Sequence, residues 1–151
     1  ASRGGRVIRT IAPADRAAWQ RLFTDYGVFY ETQFTDDVIA AVWKLLLESG
    51  SGVDALVAEQ DGGVVGFAHY RSHPDTFTGG RDWFLDDLYV DPDARGAGHA
   101  TALIEHLADL ARSTGPAGTL RWITAADNER AQRVYDRIAT KTTWVTYEKS
   151  L

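Results

Sequence analysis

The sequence predicts one mixed α/β domain in which helices flank a central sheet. Its length of 151 residues suits a single hydrophobic core. Hydrophobic residues make up 44% of the chain and charged residues 25%, an ordinary globular composition. Strand-like segments dominate the middle of the chain and helical periodicity lies on both sides of them, which indicates helices packed on a sheet. Residues 1–5 are expected to be a disordered end or a tag remnant.

The first third of the chain predicts one strand followed by two helices. Apolar residues before a proline favour a strand over Arg6–Ile11. Apolar residues recur at helical spacing over Asp15–Tyr30. Thr35 or Asp36 then caps a second amphipathic helix, which the glycines around residues 50–52 end.

The middle of the chain predicts three consecutive strands. An Asp61-Gly-Gly63 turn separates the strands Ala55–Gln60 and Val64–Arg71, which indicates a hairpin. A polar, glycine-containing loop over Ser72–Arg81 leads to the strand Trp83–Val90.

The remaining chain alternates helices and strands. The spacing predicts a helix over Gly98–Ser113, a strand over Thr119–Thr124, and a helix that begins at Asp127 or Asn128. Aromatic and β-branched residues favour a last short strand over Trp144–Tyr147. The predicted order is therefore β-α-α-β-β-β-α-β-α-β.

Composition excludes several classes of protein. The formal net charge of −5 argues against nucleic acid as the main partner and is compatible with a cationic substrate. The absence of cysteine excludes disulfides and thiolate metal sites, and the four histidines lack metal-ligand spacing, so no metal is expected. No apolar run is long enough for a membrane span and no signal peptide is seen, so no membrane partner and a cytoplasmic location are expected.

The segment before the long helix has the features of an anion site. Gly96 and Gly98 let a ligand approach the backbone, Arg95 adds positive charge, and the first amides of the helix are unpaired. Together these features indicate a pyrophosphate site. The segment lacks the Gly-Lys-Ser/Thr of a Walker loop and the third glycine of a dinucleotide fingerprint. A simple tight turn is the structural alternative.

Three segments in order resemble the GNAT superfamily of N-acetyltransferases. Arg95-Gly-Ala-Gly-His-Ala100 resembles its coenzyme A pyrophosphate loop, Arg/Gln-x-x-Gly-x-Gly/Ala. Leu85–Pro92 is similar to its central strand, and Ala126–Tyr135 contains a segment like Asn-x-x-Ala-x-x-x-Tyr. The resemblance implies the GNAT fold, a mostly antiparallel sheet flanked by helices with two strands splayed at the cofactor site. It also implies acetyl-CoA as co-substrate, and the segments most resemble the polyamine and histone acetyltransferase-like branches.

The resemblance also implies roles for individual residues. Tyr135 is implied as general acid for the leaving thiolate, and Asp86 as general base or amine anchor. A core tyrosine and a structural carboxylate are the alternatives, and Asn128 is both a coenzyme contact and a helix-cap candidate. The implied cofactor-binding residues are Leu88, Tyr89, Val90, Arg95, Gly96, Ala97, Gly98, His99, Ala100, Asn128 and Ala131.

The acceptor side of the site is less defined by the resemblance. Candidates for recognising a cationic amine are Tyr30, Glu31, Asp82 and Asp87, while most other aromatic residues of the first two helices are expected to be core. The implied reaction is direct attack, in a ternary complex, by a primary amine of a polyamine, an amino acid or a peptide. A homodimer is expected. Two alternatives stay open: a non-catalytic acyl-CoA-binding regulatory module, and an unrelated α/β domain whose loop is structural.

Overall fold

The computed structural model describes residues 5–151 and contains a five-stranded sheet with strand order β1-β2-β3-β4-β5. Residues 1–4 of the expected disordered end lie outside the described residues. The strands are β1 Arg6–Thr10, β2 Asp54–Gln60, β3 Gly63–Pro74, β4 Arg81–Val90 and β5 Ala117–Arg121. The helices are α1 Arg16–Phe29, α2 Asp36–Leu47, α3 His99–Ser113 and α4 Glu129–Tyr135. The predicted mixed fold with flanking helices is confirmed.

The sheet is antiparallel from β1 to β4 and parallel between β4 and β5. The last pair of residues that β4 and β5 share is Phe84 with Arg121. Beyond Phe84, β4 continues to Val90 with no strand beside it on that edge anywhere in residues 5–151. The two strands therefore splay apart, as the fold expectation required.

Helices cover both faces of the sheet because its side chains alternate in direction. In β2, Val57 packs with α1 and α2 on one face, while Leu56 packs with α3 on the other. The first core includes Trp19, Leu22, Ile39, Leu46, Phe67 and Tyr89. The second includes Tyr70, Trp83, Leu85, Leu103, Ile104 and Leu107.

The junction between α1 and α2 is tight and depends on a glycine. A Cβ at Gly27 would lie 2.7 Å from the ring of Phe34 and 2.8 Å from the carbonyl oxygen of Thr32. The chain can thus fold back under the end of α1. Thr35 begins α2 as an N-cap, because its hydroxyl accepts a hydrogen bond from the backbone N–H of Val38 at 3.2 Å.

A β-bulge interrupts the pairing of β3 with β4. His69 pairs with Asp87 and Tyr70 pairs with Leu85, so Asp86 is an extra residue in β4. Leu85 consequently packs in the α3 core, whereas Asp87 contacts the α1 side through His69. Simple alternation would place residues two apart on the same face, and the bulge overrides it.

Two predicted segments have boundaries that differ from the structure by more than one residue, and one predicted strand is not formed. The polar loop is shorter than Ser72–Arg81, because β3 extends to Pro74 and β4 starts at Arg81. β5 occupies Ala117–Arg121 rather than Thr119–Thr124, since its pairing with β4 begins at Arg81. The predicted strand Trp144–Tyr147 is wrong: residues 140–151 form no helix or strand. Trp144 is 82% exposed and Tyr147 is 91% exposed, so this segment has strand-like composition without a neighbouring strand to pair with.

Candidate active site

A cavity of about 440 Å³ lies where β4 and β5 separate. Its walls come from the C-terminal half of β4, the loop before α3, the helix α4 and the end of α1. Backbone groups on the free edge of β4 are available to a ligand there, since no strand of the described residues 5–151 lies beside them. The cavity therefore brings the segment Ala126–Tyr135 next to the adjoining motifs Leu85–Pro92 and Arg95–Ala100.

Most of the site residues predicted from the sequence line this cavity. Ala97, Glu31, Asp82 and Asp87 are not among the described residues that line it. Those that do are Tyr30, Asp86, Leu88, Tyr89, Val90, Arg95, Gly96, Gly98, His99, Ala100, Asn128, Ala131 and Tyr135.

The loop before α3 has the backbone conformation of an anion site. Gly96 and Gly98 have φ values of 87° and 82°, a region that side chains disfavour. A Cβ at Gly96 would meet no atom of the part of the chain that the structure describes within 4 Å, so the space above this backbone is open there. The Arg95 guanidinium lies 5.9 Å from the centroid of the Tyr89 ring. The open amides, the helix terminus and this cation fit a pyrophosphate group.

An arginine of β1 ties this loop to the sheet. Arg6 Nη1 donates to the carbonyl oxygen of Ala97 at 2.8 Å and lies 3.4 Å from Nδ1 of His99. The His99 side chain is 2% exposed. Burial and the nearby Arg6 charge lower the pKa of His99, so at neutral pH the imidazole adds no positive charge to the loop. These contacts tie the backbone of Ala97 to β1, and Ala97 is not among the described residues that line the cavity.

Asp86 occupies the bulge and is paired with an arginine. Arg71 Nε lies 3.1 Å and 3.0 Å from the two Asp86 oxygens. The Asp86 side chain is 29% exposed and lines the cavity. Its carboxylate is therefore held at the cavity wall in contact with solvent.

Asp87 lies on the opposite side of β4 and is held by two donors. The Tyr26 hydroxyl donates to Asp87 Oδ1 at 2.7 Å, and His69 Nδ1 lies 2.9 Å from Asp87 Oδ2. Burial raises the pKa of Asp87, but hydrogen bonds from His69 and Tyr26 outweigh it and keep this pKa below its usual value. Tyr26 lines the cavity, although the sequence placed it among the core aromatics. In the sequence, the polar residue His69 within an otherwise apolar strand was the feature that could have indicated a buried partner such as Asp87.

The α4 side of the cavity carries Asn128 and Tyr135. Asn128 Oδ1 accepts from the backbone N–H of Ala131 at 3.2 Å, so it caps α4. Tyr135 packs edge-to-face on Trp122, with ring centroids 5.4 Å apart. Burial raises the pKa of Tyr135, which keeps its hydroxyl protonated and able to donate.

Two of the acceptor candidates lie away from these groups. Asp82 is at the start of β4, where its Oδ1 accepts from the backbone N–H of Thr119 at 2.9 Å and its Oδ2 lies 3.4 Å from Arg121. It thus joins β4 to β5. Glu31 lies exposed after α1 with a positive φ of 56°.

The part of the chain that the structure describes lacks a metal-binding cluster and a membrane-spanning helix. No cluster of three or more His, Asp or Glu side chains there could hold a metal ion. No helix in residues 5–151 has the length and apolar character needed to cross a membrane.

Comparisons with known proteins agree with this geometry. Residues 16–139 match the Acetyltransferase (GNAT) family. The chain is 30% identical over 146 residues to a D-amino-acid N-acetyltransferase of Saccharomyces cerevisiae, a match that covers 95% of this chain and 90% of that protein.

Solved structures show the same relationship. The structure of a ribosomal-protein-alanine N-acetyltransferase from Brucella melitensis biovar Abortus 2308 has a TM-score of 0.83 at 27% identity, covering 97% of this chain and 100% of that one. An aminoglycoside N-acetyltransferase solved in complex with CoA shares the fold, with a TM-score of 0.81 at 21% identity, covering 97% of this chain and 95% of that one. The protein therefore belongs to the GNAT family and is an N-acetyltransferase.

Proposed function

We propose that this enzyme transfers the acetyl group of acetyl-CoA to the primary amine of a small molecule, by direct attack in a ternary complex. One observation carries the proposal. A single cavity joins an anion-binding loop, the free edge of β4, a carboxylate at Asp86 and a protonated phenol at Tyr135. These are the groups that acyl transfer from a thioester to an amine requires.

The acyl donor would occupy the loop and the free edge of β4. The backbone amides from Arg95 to Ala100 would bind the pyrophosphate, with Arg95 supplying charge. The unpaired backbone of Leu88–Val90 would bind the extended arm of the coenzyme as a neighbouring strand would. Asn128 and Ala131 would close the site from α4.

Acetyl transfer forms a C–N bond and breaks the C–S bond of the thioester. The amine must lose a proton, and Asp86 is the carboxylate at the cavity wall that would accept it directly or through water. The sulfur leaves as a thiolate, and the Tyr135 hydroxyl would donate a proton to it. The Arg71 guanidinium would keep Asp86 in place during the reaction.

The acceptor is proposed to be a small amine such as an amino acid or a polyamine, and a protein amino group is the alternative that the structural relative named for ribosomal-protein alanine represents. The sequence relative from Saccharomyces cerevisiae, which is named for D-amino acids, supports this class. The net charge of −5 supports a cationic acceptor in general.

Calorimetric titration with acetyl-CoA tests the donor site. Gly98→Trp should abolish binding, because the indole would fill the space above the loop. Gly50→Trp is the control for a bulky side chain at a glycine with positive φ, since Gly50 has a φ of 80° but lies after α2. A Cβ at Gly50 would contact no described atom within 4 Å, whereas one at Gly98 would lie 3.7 Å from Arg6 Nη1. Thiol release would then be measured for D-alanine, L-alanine, spermidine and an N-terminal peptide. Absence of wild-type binding would refute the proposal, and binding without turnover would favour a regulatory module.

We also propose that the enzyme is a cytoplasmic homodimer. The segment after α4 is exposed over residues 140–151 and carries Trp144, Val145 and Tyr147 at 82%, 75% and 91% exposure. Such a run of exposed apolar residues favours an interaction surface, and β5 is a free edge strand in the described chain that a second copy's segment can pair with. Light scattering should give a dimer mass for the wild type and a monomer mass for Trp144→Ser/Tyr147→Ser. A monomeric wild type would contradict the proposal.

A further inference from the structure

A chain of hydrogen bonds, buried at its Trp19 end and reaching the cavity at Tyr26, links α1, β3 and β4. Trp19 Nε1 donates to His69 Nε2 at 3.0 Å, His69 Nδ1 lies 2.9 Å from Asp87 Oδ2, and Tyr26 Oη lies 2.7 Å from Asp87 Oδ1. Trp19 is 0% exposed and His69 is 2% exposed, so water does not compete for the first of these contacts. Trp19 and Tyr26 both belong to α1 and lie two helical turns apart, on the same face.

The indole N–H of Trp19, which begins this series of hydrogen bonds, sets the direction of the hydrogen bonds that follow it. An indole N–H can only donate, so Nε2 of His69 must accept. The proton of the neutral imidazole is then on Nδ1, which donates to Asp87. Asp87, an acceptor-only carboxylate, takes the proton of the Tyr26 hydroxyl on its other oxygen.

The Tyr26 hydroxyl can therefore only accept hydrogen bonds from groups in the cavity. Its single O–H is directed at Asp87, which leaves oxygen lone pairs for any group beside it. Burial, followed by the hydrogen bond to Asp87 and its charge, raises the pKa of Tyr26, so the phenol does not ionise near neutral pH. Tyr26, Tyr30 and Tyr135 all line the cavity, so the three phenols surround one space.

We propose, on the basis of the function proposed above, that the Tyr26 hydroxyl accepts a hydrogen bond from the nitrogen of the acceptor amine. Asp87, His69 and Trp19 are positioning residues, because they act through Tyr26 and fix the direction of its proton. The negative charge of Asp87 directly behind the phenol favours a cationic amine over a neutral hydrogen-bond donor. None of these four residues belongs to the donor site.

Two variants separate this role from a structural one. Tyr26→Phe removes the acceptor and keeps the ring that packs on Phe67 and Tyr89. Asp87→Asn reverses the polarity: His69 must still donate to the amide oxygen, so the amide N–H₂ faces Tyr26, which then turns its proton into the cavity. Tyr70→Phe is the matched control, because Tyr70 is buried against Trp83 in the α3 core.

The direct readout is calorimetric binding of n-butylammonium to the CoA-saturated protein. Butyltrimethylammonium, which has the charge but no N–H, is the matched ligand. We expect the wild type and Tyr70→Phe to prefer n-butylammonium. Tyr26→Phe and Asp87→Asn should lose about ten- to a hundredfold in affinity for it, the effect of one hydrogen bond to a charged group. Melting temperatures show whether each variant is folded.

The outcomes distinguish this inference from the proposed function. Equal binding of n-butylammonium by wild type and Tyr26→Phe, or no binding by the wild type, overturns the role of Tyr26. If Asp87→Asn keeps the wild-type affinity for n-butylammonium, then Asp87 does not fix the direction of the Tyr26 proton, and that part of the inference is overturned. Thiol release from acetyl-CoA is measured separately on the same samples. If no amine is acetylated while binding depends on Tyr26, the proposed function fails and the amine contact stands.

Discussion

Replacing Asp82 with Ala should lower thermal stability and leave the affinity for amines unchanged. The Asp82 carboxylate accepts the backbone N–H of Thr119 at 2.9 Å, and such a hydrogen bond to a charged group contributes about 1.5–3 kcal/mol. Its pair with Arg121, whose side chain is 47% exposed, adds at most ~1 kcal/mol. For a domain of this size each kcal/mol shifts the melting temperature by roughly 2–4 °C. A loss of about 3 kcal/mol thus predicts a decrease of about 6–12 °C.

Differential scanning calorimetry and the KM for the amine check this prediction together. Asp82→Asn is the graded control, because its amide oxygen can still accept from Thr119 while the charge opposite Arg121 is lost. Its melting temperature should lie between those of the wild type and the alanine variant. An unchanged melting temperature combined with a raised KM for the amine would refute the structural role. It would instead support the role in amine recognition that the sequence predicted.

Three further predictions follow from other contacts. Gly66→Ala should cost about 1–3 kcal/mol in urea denaturation, because its Cβ would lie 3.0 Å from the carbonyl oxygen of Tyr89; an unchanged midpoint would contradict this. Arg6→Ala should raise the pKa of His99, which burial and the Arg6 charge lower, and an NMR titration in which this pKa does not move would contradict it. The pKa of Asp15 is held below its usual value mainly by hydrogen bonds from the Arg9 guanidinium of β1. Its stabilising effect is therefore complete above about pH 4 and is lost as the pH falls through the lowered pKa, so the stability difference between wild type and Asp15→Asn should shrink in acid; a constant difference would contradict it.

Element types could be predicted where packing repeats a regular pattern. The helical spacing in α1, α2 and α3 reports the one face that each helix packs on the sheet. The segment Trp144–Tyr147 has the same composition as a strand, but a strand also needs a neighbour, which composition does not encode. The β5 boundary shifted for a related reason, because its pairing with β4 decides where it starts.

The two halves of the site differed in how much the sequence revealed. The anion-binding loop is local, since Arg95, Gly96 and Gly98 act through consecutive backbone groups. Tyr26 and Asp87 are 61 residues apart in sequence, and only the sheet brings them within hydrogen-bond distance. The position of Asp87 depends in addition on a bulge that leaves no mark in the alternation of residue types.

Because of that bulge, β4 can be shortened by one residue without disturbing its pairing with β3. Leu85 already pairs with Tyr70, and Asp87 with His69, so deleting Asp86 would let both pairs stand side by side in a regular ladder. Every buried side chain on either side would keep its face of the sheet. We therefore expect a one-residue deletion to fold with both cores intact while removing the carboxylate from the cavity wall. At this position of β4 a codon deletion would separate folding from activity, a separation that point substitutions in the cores cannot achieve.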